Sequence, residues 1–368
     1  MAAPPLRRAA SSKLVGLKPS IATVATHTMG QSLYQYLAIK THDDIRDRTW
    51  SKIRVIGKHS RSPPARLSST EKSNKPFNWQ RPSTVEAAND CLELHCFPGD
   101  DYVGHYAAIT ATYLHLMKKD GSRVEYGIPS QAERLMPLLH SNLAQMGKTD
   151  IVIVGYVHGL TDFVSGSWEG GDSDQIFGWQ KRRLPDGSSV GFLGCRVSFW
   201  GDIAGNVVRA LQKLNSAQCI LYIGKLGSLR AEQEPNRWLA TGSTSSVKGE
   251  EINWPNVLEP FALKSELVKQ GVHYSLPSVL DETKDWLSST IRKFDFVDPE
   301  IGHMAKASLE GGTMFGYLHI ISDNVARKYL YDLSNERARR VLYDRSVLVQ
   351  EIQKVLKDFL AHWASGRP

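Results

Sequence analysis

The chain has 368 residues, which is enough for two domains or for one large domain with extensions. Apolar residues make up 41% of the sequence and charged residues 23%, as in ordinary globular proteins. There is no run of about 18 apolar residues, the length that a membrane-spanning helix needs. The composition therefore predicts a soluble protein and excludes an integral membrane protein.

The net charge of +7 is unevenly distributed along the chain. Residues 1–85 contain 15 Lys and Arg against 4 Asp and Glu, whereas residues 86–368 contain 30 against 34. The second part is mildly acidic, so the overall basicity does not predict nucleic-acid binding by the main domain. Contact of the basic tail with RNA or another acidic surface stays open as a weaker alternative.

The four cysteines show neither the paired spacing of a zinc site nor the density of a disulfide scaffold. They are Cys91, Cys96, Cys195 and Cys219. We expect them to be buried, reduced thiols, which fits an intracellular protein without a bound metal.

The first 84 residues are predicted to be a basic, Pro- and Ser-rich extension. Residues 1–42 lack Asp and Glu, a composition typical of an organellar transit peptide, although a disordered extension is equally consistent with it. Residues 59–82 have the composition of a linker. We therefore expect order to begin near Thr84, and the location stays open between an organelle and the cytoplasm.

Residues 85–148 are predicted to be an additional segment, with a strand at 91–97 and helices at 106–118 and 130–146. No chemistry is evident in it. From residue 149 to 368 the pattern changes to strands that alternate with helices, which is typical of a largely parallel sheet. The main strands are expected at 150–155, 176–179, 190–199, 218–223, 294–297 and 314–321, with helices at 206–214 and about 334–363. The fold class is therefore α/β, a three-layer arrangement of a mixed, mostly parallel twisted sheet flanked by helices.

Two acidic residues stand at the ends of late strands. Residues 294–325 read as strand, helix and strand, and Glu300 and Asp323 each follow one of the strands. If these strands are parallel neighbours joined by a right-handed crossover, both carboxyl groups emerge at the edge where open α/β sheets bind ligands. Both residues could equally be acids that start helices.

A glycine-rich stretch, GKLGS, follows the strand predicted at 218–223. It combines the cation of Lys225, backbone N–H groups near Gly227 and the hydroxyl of Ser228, the donors that an oxyanion such as phosphate requires. With Glu300 to accept hydrogen bonds from sugar hydroxyls and Asp323 to protonate a leaving group, one sheet edge could assist loss of a base from a sugar.

The order of the motifs along the chain resembles that of a known protein family. The order WGDIAGN, CILYIGKLGSL, FVDPEIG and HIISDN is similar to that in the nucleoside phosphorylase superfamily, which includes purine nucleoside phosphorylases, uridine phosphorylases and methylthioadenosine/S-adenosylhomocysteine nucleosidases. The resemblance implies that residues 149–368 form a nucleoside phosphorylase-like domain. It implies that Glu300 binds ribose and that Asp323 is the catalytic acid toward a purine. It also implies that Lys225, Gly227 and Ser228 bind phosphate and that Arg337 supports Asp323.

The sequence departs from the family pattern at three places. Pro299 stands where the family usually has Met, and Lys225 where it has Arg. Residues 156–159 replace the Gly-Asp-Pro and Arg of bacterial phosphorylases. The expected reaction is cleavage of the N-glycosidic bond of a nucleoside, with a purine favoured and phosphate as the preferred nucleophile. A nucleosidase that uses water and a non-catalytic nucleoside-binding, storage or sensing protein are the alternatives.

Further expectations concern partners and the remaining polar residues. Neither a metal nor an organic cofactor is implied, inorganic phosphate is the expected co-substrate, and family members are oligomers, so a homo-oligomer is expected. A Rossmann-type dehydrogenase is poorly supported, because no GxGxxG joins a strand to a helix. Asp202 could cap the helix that begins near Asn206, and Asp281 and Glu282, which are near the expected base pocket, could likewise be surface acids. The histidines at 158, 273 and 303 are expected to be structural.

Overall fold

The computed structural model of the protein describes residues 16–71, 75–172, 174–330 and 339–366. The strands of this part are β1 (Lys52–Gly57), β2 (Ser83–Ala87), β3 (Cys91–Cys96), β4 (Val124–Gly127), β5 (Ile151–Gly155), β6 (Phe177–Arg183), β7 (Ser189–Cys195), β8 (Cys219–Ser228), β9 (Leu239–Thr241), β10 (Thr244–Val247), β11 (Glu250–Asn253), β12 (Val268–Gln270), β13 (His273–Ser275), β14 (Phe296–Asp298) and β15 (Met314–Asn324). The α-helices are α1 (Ser32–Ala38), α2 (Asp43–Asp47), α3 (Asp100–Leu116), α4 (Gln131–Leu139), α5 (Asp202–Asn215), α6 (Glu259–Ala262), α7 (Lys284–Thr290), α8 (Ile301–Glu310) and α9 (Arg339–Ala364). None of the helices in these ranges is long and apolar enough to cross a lipid bilayer.

The strands form two sheets. The larger sheet runs in the order β11-β10-β13-β14-β8-β15-β9-β12, with β5 also paired to β8, β7 to β5 and β6 to β7. Most of its pairs are parallel, and β8 pairs with three other strands, β5, β14 and β15. The predicted hairpin is present as the antiparallel pair β6 and β7. The smaller sheet has the order β2-β3-β1-β4. The predicted α/β class with a mixed, mostly parallel sheet is confirmed.

The larger sheet opens beside the second half of β8. On one side β8 pairs with β15 along its length. On its other side β5 is paired as far as Ile223, and β14 is paired at Gly227 and Ser228. Residues 224–226 therefore face a gap between β5 and β14, at the carboxyl ends of β5 and β8. Such a break in strand pairing creates a crevice in which ligands bind.

Helices cover both faces of this sheet. Side chains alternate across β8, with Ile220 and Tyr222 in one apolar cluster and Leu221 and Ile223 in the other. The first cluster is shared with α3, α5 and α8, and the second with α9. The order of helices, sheet and helices gives the predicted three layers, with the smaller sheet packed against α3 on the outside of the first.

The expectation of a disordered extension is wrong for the described residues before Thr84. Strand β1 pairs in parallel with both β3 and β4, so residues 52–57 are the centre of the smaller sheet. Leu33 and Leu37 of α1 are fully buried in the shared core. The segment predicted as a linker connects β1 to β2 and contains Phe77, which is buried. Residues 1–15 lie outside the described part, and the domain boundaries at 84 and 148 stay predictions.

The strand, helix and strand of 294–325 are present, but their arrangement differs from the expected one. β14 and β15 are not neighbours, because β8 lies between them, antiparallel to β14 and parallel to β15. The helix α8 begins at Ile301, and the Asp298 carboxylate at the end of β14 accepts from the backbone N–H groups of Glu300 and Ile301 at 2.8 and 2.9 Å. Glu300 and Asp323 therefore lie on opposite sides of β8.

Candidate active site

A cavity of about 440 Å³ occupies the gap beside β8. This volume lies in the range of small-molecule sites. Four acidic side chains line it, together with cations from several segments and a group of aromatic rings. The acids are Glu282, Asp298, Glu300 and Asp323, the cations are Lys40, Lys75, Arg81, Lys225 and Arg345, and the aromatic residues include Tyr156, Phe199, Trp200 and Tyr222.

The backbone of Glu300 is fixed by Asp298. Because the Asp298 carboxylate accepts from the Glu300 N–H, the Glu300 side chain is held at the start of α8 and at the cavity wall. Its Oε2 lies 3.5 Å from the hydroxyl of Tyr222, which donates to it. Burial and the negative charge of Asp298 raise the pKa of Glu300 well above its usual value. Glu300 therefore keeps its proton to a higher pH than an exposed glutamate does, and while protonated it can both donate to and accept from a pair of sugar hydroxyls.

Two buried histidines lie against Asp298. His273 Nε2 is 3.0 Å from one carboxylate oxygen and His319 Nε2 is 3.6 Å from the other. Burial lowers the pKa of His319 to about 4, so this ring is neutral at physiological pH. The nearby histidines lower the pKa of Asp298 against the opposing effect of its burial. Asp298 is therefore ionised, and its role is to hold Glu300 in position.

Asp323 also lines the cavity, near the end of β15. The Ser322 hydroxyl donates to its Oδ1 at 2.8 Å. The next side chain, Asn324, donates to the backbone carbonyls of Arg230 and Gln233 at 2.7 and 2.9 Å, which ties down the chain on the far side of Asp323. Asp323 is only 8% exposed. The structure thus brings the predicted pair, Glu300 and Asp323, into one cavity.

Glu282 is a site residue for which the sequence suggests a surface acid near the expected base pocket. The expectation of a surface acid is wrong, because its side chain is buried and lines the cavity. Burial raises the pKa of Glu282 well above its usual value, and the negative charges of Asp323 and Asp281 raise it further. Glu282 therefore keeps its proton to a higher pH than an exposed glutamate does, and it lies near a second carboxyl group. Two acids in one site hold a proton between them more strongly than isolated acids do.

The residues predicted to bind phosphate are strand residues, because GKLGS forms the second half of β8 and is not a loop. Lys225 and Gly227 line the cavity. Ser228 is not among the lining residues: it is fully buried, its hydroxyl donates to Gln233 Oε1 at 2.6 Å, and it accepts from the Arg230 N–H at 3.0 Å. A phosphate in the cavity would therefore meet Lys225 and the backbone of β8, and not this hydroxyl.

Arg337, predicted to support Asp323, lies outside the described residues, so its role stays a prediction. The helix that follows it, α9, brings a different arginine to the cavity. Arg345 lines the cavity, and its Nε donates to Asn236 Oδ1 at 2.7 Å. No local sequence pattern distinguishes Arg345 from the other charged residues of α9.

Asp202, His303 and His158 are three further residues for which the sequence predicted structural roles. Asp202 is the first residue of α5, but its carboxylate accepts from the N–H groups of Asp100 and Asp101 at 3.2 and 3.1 Å, so it caps α3 and not its own helix. His303 lies 2.9 Å from Asp101, which fits a structural histidine. His158 lines the cavity, where burial lowers its pKa to about 4.

The region before β2 supplies a wall of the cavity. Tyr36 and Lys40 come from α1 and the turn after it, and Lys75, Phe77 and Arg81 come from the connection between β1 and β2. This wall lies outside the part of the chain in which the family resemblance is found. It adds positive charge and aromatic surface to the cavity.

Comparisons with known proteins give the following similarities. No family model matches the chain. Oxidoreductase cns1 of Cordyceps militaris is 26% identical over 266 residues, which are 65% of this chain and 33% of that protein. The chain thus spans about a third of the length of the curated relative that it matches.

Among solved structures, the chain is similar to 5′-methylthioadenosine/S-adenosyl homocysteine nucleosidase of Helicobacter pylori, with a TM-score of 0.45 and 15% identity over 59% of this chain and 99% of that chain. It is similar to uridine phosphorylase of Vibrio fischeri, with a TM-score of 0.45 and 12% identity over 59% and 92% of the two chains. Purine nucleoside phosphorylase of Toxoplasma gondii has a TM-score of 0.44 and 11% identity over 60% and 94%. The first of these proteins is a nucleosidase, and the other two are nucleoside phosphorylases.

Proposed function

We propose that this chain cleaves the N-glycosidic bond of a nucleoside, with a purine as the favoured base. The observation that carries the proposal is the meeting of Glu300, Asp323 and Glu282 in one cavity at the end of β8. Three carboxyl groups with different surroundings can hold a sugar and supply a proton at the same time. The same cavity has aromatic rings against which a base or a sugar can pack.

The chemistry follows from the positions of these acids. The Glu300 carboxyl binds two neighbouring ribose hydroxyls, which orients the glycosidic bond. Glu282 passes its proton to Asp323, and Asp323 donates this proton to the base nitrogen as the glycosidic bond breaks. The sugar then develops positive charge, which the carboxylate of Asp298 behind Glu300 favours through its field. The result is departure of a neutral base from an oxocarbenium-like sugar.

The attacking group is proposed to be phosphate. Lys225 provides a positive charge in the cavity, and residues 224–226 of β8 face the gap with one edge of their backbone. Phosphate held there would attack the sugar carbon and give a sugar 1-phosphate. The burial of the Ser228 hydroxyl favours the second candidate, a nucleosidase, in which water attacks at the same place and gives the free sugar.

The test is release of base from inosine, guanosine, adenosine, methylthioadenosine and uridine, measured by HPLC with and without phosphate. Release that requires phosphate and forms sugar 1-phosphate supports phosphorolysis, and release without phosphate supports hydrolysis. If none of these compounds loses its base, while calorimetry shows that one of them binds, the cavity is a nucleoside-binding site without this catalytic function. If none is cleaved and none binds, the proposal is wrong for the nucleosides tested.

A further inference from the structure

Arg81 is a buried arginine without a carboxylate partner among the described residues. It is 6% exposed and lines the cavity. Its Nη1 donates to the Gln80 carbonyl at 3.2 Å, and its Nε is buried without a hydrogen-bond partner. Burying a guanidinium without a counter-charge is unfavourable, and so is burying a donor that makes no hydrogen bond. A ligand that brings negative charge would remove both costs.

The position of Arg81 is fixed before any ligand arrives. The N–H groups of Trp79 and Gln80 both donate to the carbonyl of Arg196, each at 3.1 Å, which fastens the segment to the end of β7. The N–H of Arg81 itself donates to Glu71 Oε1 at 3.0 Å. The charge of Glu71 is matched by Arg61, whose two guanidinium nitrogens lie 2.7 and 2.9 Å from its oxygens. Glu71 therefore does not neutralise Arg81, and the positive charge of the Arg81 guanidinium acts on the cavity.

Two phenol groups line the same cavity as Arg81. Tyr102 and Tyr106 are one helical turn apart on α3, both are buried, and both line the cavity. The positive charge of Arg81 acts to lower the pKa of each phenol, against the stronger effect of burial. Lys40 also lines the cavity and adds charge at this end. An arginine fork beside hydroxyl donors suits the oxygens of a phosphate group.

We propose that Arg81, Tyr102 and Tyr106 form an oxyanion subsite for a phosphate group, built by the N-terminal wall and α3. This inference rests on the proposed function, because it concerns a group that takes part in the same reaction. The phosphate is either the inorganic co-substrate or an ester carried by a nucleotide substrate. The chemistry recognised is the same in both cases, and only the bond to the nucleoside differs.

The experiment measures binding and not turnover. Calorimetric titrations with inorganic phosphate, adenosine 5′-monophosphate and adenosine are compared for the wild type, Arg81→Gln, Arg81→Lys and Arg209→Gln. Arg209 is the control because it pairs with Glu310 at the surface, 2.7 Å away. Tyr106→Phe tests the same subsite while keeping the buried charge. Circular dichroism and thermal unfolding establish which variants fold.

The proposal predicts that Arg81→Gln weakens at least one of the two phosphate compounds about tenfold or more, because charge-assisted hydrogen bonds are lost. Arg81→Lys should weaken it less, Tyr106→Phe a few-fold, and Arg209→Gln not at all, and adenosine should bind to all variants with the same affinity. A loss confined to inorganic phosphate identifies the co-substrate, and a loss confined to the monophosphate identifies a nucleotide.

The proposal is overturned if the wild type binds neither phosphate compound, or if Arg81→Gln and Tyr106→Phe both bind them as the wild type does. If Arg81→Gln does not fold, Arg81→Lys and Tyr106→Phe decide between the same outcomes. A phosphate effect at Arg81 in a protein that releases no base would leave the subsite standing and remove the proposed reaction. If the protein releases base but the variants bind phosphate as the wild type does, the proposed reaction stands and the subsite proposal is wrong.

Discussion

Glu282 and Asp323 place two carboxyl groups in the same cavity, and the negative charge of Asp323 contributes to the raised pKa of Glu282. Burial is the larger cause of that rise. A proton is therefore stored on Glu282 at a pH at which an exposed glutamate has lost it. Placed beside the residue that is proposed to protonate the leaving base, this proton is part of the chemistry of the site and also affects stability.

Glu282→Gln should change how stability depends on pH. Below the ordinary glutamate pKa of 4.5, both the folded and the unfolded wild type hold the proton. Above it the unfolded chain loses the proton while the folded chain keeps it, so the wild type loses stability as pH rises toward the folded pKa. Each unit of pKa difference corresponds to about 1.4 kcal/mol. The melting temperature of the variant relative to the wild type should therefore increase from pH 4.5 to 8.

The control for this measurement is Glu234→Gln, at an exposed glutamate outside the cavity. Its melting temperature should follow that of the wild type at every pH. Parallel curves for Glu282→Gln and the wild type would show that Glu282 ionises in the folded protein as it does in water.

Glu300→Gln should reduce the preference for sugars that carry both hydroxyls. We expect the wild type to bind adenosine more tightly than 2′,3′-dideoxyadenosine, and the variant to lose about fivefold of that preference, since the acidic O–H of a carboxyl group is a stronger donor than an amide N–H. Tyr222→Phe removes only the hydroxyl that lies 3.5 Å from Glu300, so it should reduce the same preference by a smaller factor. An unchanged preference in Glu300→Gln would mean that the sugar lies elsewhere.

Asp202→Ala should lower stability by about 1–2 kcal/mol, the usual cost of losing a helix cap. The carboxylate caps α3 and also lies 3.4 Å from Arg134, so both contacts are lost. Asp202→Asn keeps an acceptor oxygen and should lose less. Urea unfolding measures both. If Asp202→Ala is as stable as the exposed control Asp285→Asn, the cap does not contribute.

Gly155→Ala should destabilise the protein strongly, whereas Gly104→Ala should not. Gly155 ends β5 with a φ of +102°, and a β-carbon there would collide with the carbonyl oxygen of Ile223. Gly104 is inside α3 and has no atom within 4 Å of a β-carbon, so alanine should add about 0.5–1 kcal/mol of helix stability. Equal melting temperatures for the two variants would contradict this account of the gap beside β8.

The larger sheet and two of the acids could be predicted because their signals are local. Buried strands such as β5 and β15 are continuous apolar runs, and Glu300 and Asp323 follow such runs directly. The arrangement expected to bring them together is wrong, however. Sequence order suggests adjacent parallel strands, whereas the position of β8 between β14 and β15 depends on pairing between distant segments, which no local pattern records.

The N-terminal wall and Glu282 could not be predicted for related reasons. β1 is a short strand, KIRVIG, with Pro- and Ser-rich residues after it, so composition favours an extension. Its burial comes from β3 and β4, which follow it in sequence. Glu282 sits between weak strand signals, and an acid beside another acid is typical of a surface. Ser228 shows the reverse case: the sequence predicts that it binds phosphate, but it is buried and its hydroxyl donates to Gln233, five residues further on.

The central claim is that this cavity breaks an N-glycosidic bond with Asp323 as the acid. The most direct measurement is the rate of base release, at saturating nucleoside, by the wild type, Asp323→Asn and the exposed control Asp285→Asn. We expect Asp323→Asn to release base at least about 100-fold more slowly, as for loss of a general acid, while nucleoside binding persists and Asp285→Asn matches the wild type. Equal rates for Asp323→Asn and the wild type would contradict the claim.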